Sequence, residues 1–162
     1  MFTADFVKGA TRLSDENIRY VLTVCLHRKV EGPVTSGELL CLLVFDLLKG
    51  MGFSVEHLTA ILLHCGERLI GIGKVFDLAK PGDEIEFQSL QILDNRWVVM
   101  NEEVPYDFTK MEPAPQSPLP VLSLAVALPR LYQLAISASA PAPRQRSSGA
   151  TKPDRKSGDA SG

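Results

Sequence analysis

The chain has 162 residues, of which 45% are hydrophobic, with 17 lysines and arginines against 19 aspartates and glutamates. This length and apolar content suffice for one domain with a buried core. The formal net charge of −2 excludes a protein that is basic throughout. It leaves room for a local basic patch of the kind that binds nucleic acid.

The cysteines and the apolar stretches predict a cytoplasmic protein that does not enter a membrane. Cys25, Cys41 and Cys65 form no closely spaced pair, which is typical of a reducing compartment. The first ten residues lack the basic and apolar pattern of a secretory signal. The apolar stretch at 118–136 is short and contains Pro129 and Arg130, so we expect no membrane span there.

Charge divides the chain into three parts. Residues 1–70 carry 7 basic and 8 acidic side chains, residues 71–115 carry 4 and 9, and residues 116–162 carry 6 and 2. From about residue 137 the chain is rich in Ser, Pro, Gly and Ala and has no large apolar side chain, which predicts a disordered basic tail. We therefore expect one unit at 1–70, a second at 71–136 and a tail at 137–162.

The first unit reads as helices. Ser14 followed by two acids is typical of a helix start, and the helix has an apolar stripe at Ile18, Val21, Leu22 and Cys25. Arg19 then faces outward, within i, i+4 reach of Asp15. Thr35 or Ser36 can cap a central buried helix at 37–49. Ser54 caps the next helix, whose apolar stripe comprises Val55, Leu58, Ile61, Leu62, Cys65 and Leu69.

After residue 70 the pattern changes to short β-forming stretches, so the predicted fold class is α+β. Gly71-Ile72-Gly73 is expected to end the preceding helix. Strands are predicted at 74–79, 84–92 and 96–104, joined by turns at 80–83 and 93–95. Residues 121–127 fit either a fourth strand or the start of a helix. Pro129 suits the first turn of a short closing helix that extends to residue 136.

Several short motifs of the first unit resemble one family. Phe2-Thr3, Ile18-Arg19-Tyr20, Val34-Thr35 and Gly52-Phe53-Ser54 occur in the order found in the N-terminal domain of MerR-type transcription regulators. The intervals from Phe2 to Tyr20 and from Val34 to Ser54 resemble the family's spacing, while the stretch between them, at 27–33, is shorter. The resemblance covers residues 1–70. It implies a winged helix-turn-helix of four helices with a small wing, and double-stranded DNA as the partner.

The resemblance also implies a role for individual residues. A helix at 14–20 enters the major groove, with base contacts from 14–17, while Arg19 and Tyr20 hold the DNA backbone. Arg28 and Lys29 lie where the wing is expected. The candidate DNA-binding residues are Lys8, Arg12, Ser14, Asp15, Glu16, Asn17, Arg19, Tyr20, Arg28 and Lys29. Residues 71–136 are expected to provide a homodimer contact or to bind another partner.

An alternative of another class stays open. The family's wing carries an arginine and a tyrosine that this chain lacks, which fits a protein-interaction module, antitoxin-like or an assembly partner, on a degenerate helix-turn-helix scaffold. Asp15, Glu16 and the acidic hairpins at 83–112 would then face a basic partner. We find no catalytic constellation and no phosphate-binding loop, so we predict neither an enzyme nor a cofactor. We also expect no metal site, with His27 and His57 at the surface.

Overall fold

The computed structural model describes residues 1–29, 31–79, 89–93, 96–100, 106–109 and 124–138. It confirms the α+β class: helices make up the N-terminal half, and an antiparallel sheet and one further helix follow. The tail was predicted at 137–162, but residues 137 and 138 belong to the last helix; the rest of the predicted tail lies outside the described residues, as do most of the acidic side chains at 83–112.

Two short helices begin the chain. Helix α1 (Ala4–Ala10) is capped by Thr3, and helix α2 (Asp15–Tyr20) is capped by Ser14, whose hydroxyl accepts a hydrogen bond from the Asn17 amide at 3.3 Å. A π-helical turn (Val21–Cys25) continues α2, so the predicted count of four N-terminal helices is inexact. The cap at Ser14 is confirmed. So is the inward stripe, because Val21 and Cys25 are buried.

Helix α3 (Ser36–Gly50) is the central buried helix, as predicted. Thr35 and Glu38 form a capping box, in which each side chain bonds the other residue's backbone amide. The buried residues of α3 surround its axis rather than forming one stripe. A helix with such an apolar circumference must be covered by other elements, and the π-helical turn, helix α4 (Val55–Leu78) and helix α5 (Leu128–Ala138) pack against it.

Helix α4 (Val55–Leu78) begins at the Ser54 cap but runs further than expected. The predicted stop at Gly71-Ile72-Gly73 and the predicted strand at 74–79 are both wrong, since the helix continues past these glycines and ends at Leu78. The physical reason is a tertiary contact: Gly73 lies against the backbone of α3 at Gly37, so its lack of a side chain serves packing. Along the predicted stripe only Val55 is exposed; its other members are buried.

Four strands follow α4: β1 (Ser89–Leu93), β2 (Trp97–Met100), β3 (Tyr106–Asp107) and β4 (Leu124–Ala127). They form one antiparallel sheet with the strand order β3-β2-β1-β4. Strands β1 and β2 lie within or next to the predicted strands at 84–92 and 96–104, and Leu93 pairs with Trp97 across their turn. The choice at 121–127 resolves as a strand through Ala127, followed by helix α5 (Leu128–Ala138). The predicted turn at 80–83 lies outside the described residues.

The sheet and α5 pack onto the helices around a shared hydrophobic core. Leu90, Ile92, Val98, Met100 and Phe108 join the buried residues of α3 and α4. On α5, the Tyr132 ring lies 5.0 Å from the Phe76 ring, and its hydroxyl donates to Ser36 Oγ at 2.9 Å. Ser36 Oγ in turn donates to the Asp77 carboxylate, which ties the start of α3 to the end of α4. None of the helices in the described part of the chain is long and apolar enough to cross a membrane.

Candidate functional site

The outward face of α2 carries most of the predicted site. Asp15, Glu16 and Arg19 are exposed, while Ile18 on the opposite side packs against the core. The Thr23 hydroxyl donates to the Arg19 carbonyl at 2.8 Å, which secures the backbone where α2 passes into the π-helical turn. The structure therefore presents a short, firmly seated helix with charged side chains pointing to solvent.

Asp15 pairs with Lys8 of α1 rather than with Arg19, although the sequence puts Arg19 within its reach. Lys8 Nζ lies 2.8 Å from Asp15 Oδ1, and this hydrogen bond raises the pKa of Lys8. The turn between α1 and α2 brings the long lysine side chain to the first turn of α2, so a contact between helices replaces one within a helix. Lys8, Asp15, Glu16 and Arg19 together carry two charges of each sign and no net charge.

Arg12 belongs to a different surface. Its Nε lies 3.5 Å from Asp46 Oδ2, and its guanidinium extends over Gly50, where an added β-carbon would stand 3.0 Å from Arg12 Nη2. This pair forms the rim of an open apolar groove of about 260 Å³ between α1, α3 and α5. The structure thus directs Arg12 toward α3 and away from Arg19.

Tyr20 faces inward. The Thr59 hydroxyl donates to the Val55 carbonyl at 2.7 Å, so the Tyr20 hydroxyl donates to Thr59 Oγ1, 2.8 Å away. Tyr20 is half-buried, and this bond joins α2 to α4. The phenol holds the orientation of α2 in this structure instead of projecting into solvent.

Arg28 is a clamp within the loop that follows the π-helical turn. Its Nη2 donates to the carbonyls of Gly32 and Pro33 at 2.9 and 3.0 Å, and its Nε lies 3.5 Å from Glu38 Oε1. Only 18% of the Arg28 side chain is exposed. Lys29, by contrast, is exposed. The two cations predicted for the wing therefore have different roles.

The same loop is closed at its far end by a backbone bridge. The Phe2 amide donates to the Val34 carbonyl at 2.7 Å, and the Val34 amide donates to the Phe2 carbonyl at 2.8 Å. His27 adopts a positive φ of 52°, which turns the chain out of the helix. The bridge and the Arg28 clamp together hold the loop against the N-terminus.

The structure thus separates the ten predicted residues. Lys8, Asp15, Glu16 and Arg19 lie together on or beside α2, next to the exposed Ser14 cap and the half-buried Asn17. Arg12 turns toward α3, Tyr20 and Arg28 make internal bonds, and Lys29 is exposed on the loop. The backbone amide of Asn17 donates to the Ser14 hydroxyl in the helix cap. The sequence alone did not distinguish this structural role of Asn17 from a contact with DNA.

The prediction of a surface position for His57 is wrong, since only 2% of the residue is exposed. Its spacing of four residues from Ile61 and eight from Cys65 was the available signal, because these spacings put it on the buried side of α4. The two hydrogen bonds that link Tyr132 to Ser36 and Ser36 to Asp77 could not be predicted from spacing, because these residues are far apart in the sequence.

Within the described ranges no group of three or more His, Cys, Asp or Glu side chains could hold a metal ion. The three cysteines are free and buried, as predicted. Comparison with family models, with curated proteins and with solved structures finds no match to this chain.

Proposed function

We propose that residues 1–70 bind duplex DNA and that the chain is a transcription regulator of MerR type. The observation that carries the proposal is the outward face of α2. The helix is capped by Ser14, its Ile18 packs against the core next to the buried Val21 of the π-helical turn, and Arg19 remains exposed. A helix held in this way can enter the major groove without losing its own packing.

In this proposal α1 and α2 form the helix-turn-helix, and residues 26–35 form the wing. The bridge between Phe2 and Val34 supports this assignment, because it holds the loop beside the start of α1. Arg19 and Lys29 contact phosphates, since both are exposed cations. Arg28 and Tyr20 act as positioning residues: Arg28 keeps the wing closed and Tyr20 keeps α2 on α4.

The acids on α2 take defined roles in the same proposal. Asp15 is neutralised by Lys8, which removes its repulsion from a phosphate. Glu16, exposed in the first turn, is placed to accept from a cytosine amino group in the groove. Residues 71–136 provide the contact between two copies, and sedimentation at two protein concentrations tests that part.

The DNA test uses fluorescence anisotropy of a labelled duplex across a salt series. We expect the association constant K to fall as the salt concentration rises. Arg19→Ala and Lys29→Ala should each reduce the steepness of log K against log salt by about one unit. Lys74→Ala removes an exposed cation from α4 and is the matched control. Absence of binding, or an equal slope in all four proteins, contradicts the proposal.

A charge-removal variant tests the orientation of α2. Glu16→Gln removes one carboxylate from the proposed DNA-binding face of α2. The affinity for duplexes of mixed sequence should therefore rise, and the preference for duplexes with cytosine at the contacted position should weaken. Glu67→Gln removes an exposed carboxylate from α4 and should leave both unchanged. If Glu16→Gln behaves like Glu67→Gln, then α2 does not face the DNA.

The neutral charge balance of the α2 surface favours a second candidate, a protein-interaction module without DNA binding. Lys8, Asp15, Glu16 and Arg19 cancel in charge, and Arg28 and Tyr20 are engaged internally. Under this candidate a basic protein co-purifies in stoichiometric amount, and an Asp15→Lys, Glu16→Lys variant loses it. That result, together with no salt-dependent retention of DNA, replaces the first proposal.

A further inference from the structure

Two histidine–aromatic pairs join α4 to the sheet. The His57 ring lies edge-on to Phe108 with centroids 5.3 Å apart, and the His64 ring stacks flat on Tyr106 with centroids 4.1 Å apart. The histidines are two helical turns apart, and the aromatic residues are two positions apart at the end of the sheet. Two of the three histidines of the chain therefore lie in this one contact.

The two histidines differ in how well their surroundings accept a positive charge. His57 is buried, and neither Nδ1 nor Nε2 has a hydrogen-bonding partner in the part of the chain that the structure describes. A proton on this ring would create a buried cation without an acceptor, which is costly. His64 is half-exposed and lies parallel to an aromatic face, an arrangement that attracts a cation.

The charged groups around His57 compensate its protonation only weakly. Glu56 precedes it on α4, is exposed, and favours the charged form. On the sheet side the carboxylate nearest to Phe108 in sequence is Asp107, which is engaged by Arg96 Nε at 2.7 Å and by the Thr109 amide and hydroxyl. Phe53 adds an uncharged ring 6.0 Å from Phe108. Burial lowers the pKa of His57, and Glu56 opposes this without reversing it.

We propose that protonation of His57 weakens the contact between α4 and the sheet, so that this contact depends on pH. With His57 neutral, its ring packs between α4 and Phe108 and the sheet is docked. With His57 protonated, the imidazolium must reach water, and it can do so only if Phe108 moves away from α4. This inference is independent of DNA binding.

The direction of the pH effect follows from the exchange of protons. An imidazole that is free in water titrates near pH 6.5, whereas the pKa of His57 in the docked state is lower. Above pH 6.5 both states are unprotonated and docking is fully favourable. As pH falls below that value the open state binds a proton first, so its population grows by up to about tenfold per pH unit.

Hydrogen exchange of the full chain tests the proposal, with mass-spectrometric readout at pH 7.0 and pH 5.5 and correction for the intrinsic exchange rate. We expect segment 89–100 to lose up to about tenfold of its protection at pH 5.5, while segment 39–48 of α3 keeps its protection. His57→Gln should abolish the loss. His64→Gln and His27→Asn should retain it. Unchanged protection in the wild type, or the same loss in His57→Gln, overturns the proposal.

A titration followed by NMR keeps the proposal testable if His57→Gln does not fold. The three imidazole signals of the wild type are assigned with His64→Gln and His27→Asn. We expect the remaining signal, that of His57, to have a midpoint below 6.5, with the β1 and β2 amides shifting at the same pH. A His57 midpoint at or above 6.5, or sheet amides that do not follow it, contradicts the proposal.

Discussion

Gly73 of α4 lies directly against Gly37 of α3: a β-carbon built on Gly73 would overlap the amide nitrogen and the Cα of Gly37. Gly37 is close to the backbone of α4 at a second residue, since a β-carbon on Gly37 would stand 2.5 Å from Ile70 Cα. The two backbones therefore approach as closely as glycines permit. This approach brings Ser36 within bonding reach of Asp77 and allows Tyr132 of α5 to complete the chain of bonds.

Substitution of Gly71 and of Gly73 in α4 should have opposite effects on stability. Gly73→Ala forces the helices apart and should lower the free energy of unfolding by about 1–3 kcal/mol. Gly71→Ala adds a methyl group where nothing lies within 4 Å and improves helix propensity, so it should raise that free energy by about 0.5–1 kcal/mol. Urea denaturation measures both. An unchanged or raised free energy of unfolding in Gly73→Ala would contradict the close approach of the two helices.

Substitution of Arg28 should lower the stability of the protein more than substitution of Lys29, its neighbour in the loop. Arg28→Ala removes the bonds to the Gly32 and Pro33 carbonyls and the ion pair with Glu38, so the free energy of unfolding should fall by about 1–2 kcal/mol. Lys29→Ala should change it by less than about 0.5 kcal/mol, because the side chain is exposed. Thermal denaturation compares the two variants. Equal losses would remove the clamp role from Arg28.

Asp107 should contribute to acid sensitivity. Burial raises the pKa of its carboxyl, but hydrogen bonds from Thr109 and Arg96 together outweigh burial and leave the pKa below its ordinary value. The stabilisation is therefore complete above about pH 4 and is lost as pH falls through the lowered pKa. Urea denaturation at pH 5 and pH 3 should show a smaller pH effect in Asp107→Asn than in the wild type. An equal effect would mean that the carboxylate is not stabilised by folding.

The thiols should be unreactive in the native protein. Burial raises the pKa of both Cys25 and Cys41, and Cys65 is also buried. A thiol held in this state forms little thiolate and is shielded from reagent. Ellman's reagent at pH 8 should detect no rapidly reacting thiol before denaturation and three after it. A single fast thiol in the native state would show that one buried face opens.

Features that depend on neighbours along the chain followed from the sequence. The caps at Ser14, Thr35 and Ser54 lie where predicted, because each is a local bond between a side chain and an amide three residues on. The buried stripes of α2 and α4 also followed, since helical periodicity alone places these residues on one side. The α+β class and the β1–β2 pairing rest on the same local patterns and turns.

What only the tertiary structure decided depends on residues that are distant in sequence. In the sequence, Gly71 and Gly73 resemble a helix stop. In the fold, Gly73 is instead a glycine because the backbone of Gly37 leaves no room for a side chain there. Asp15 has Arg19 within reach on its own helix, but the fold offers it Lys8 from α1. In each case a local preference of a fraction of a kcal/mol yields to packing between elements, which no periodicity along the chain encodes.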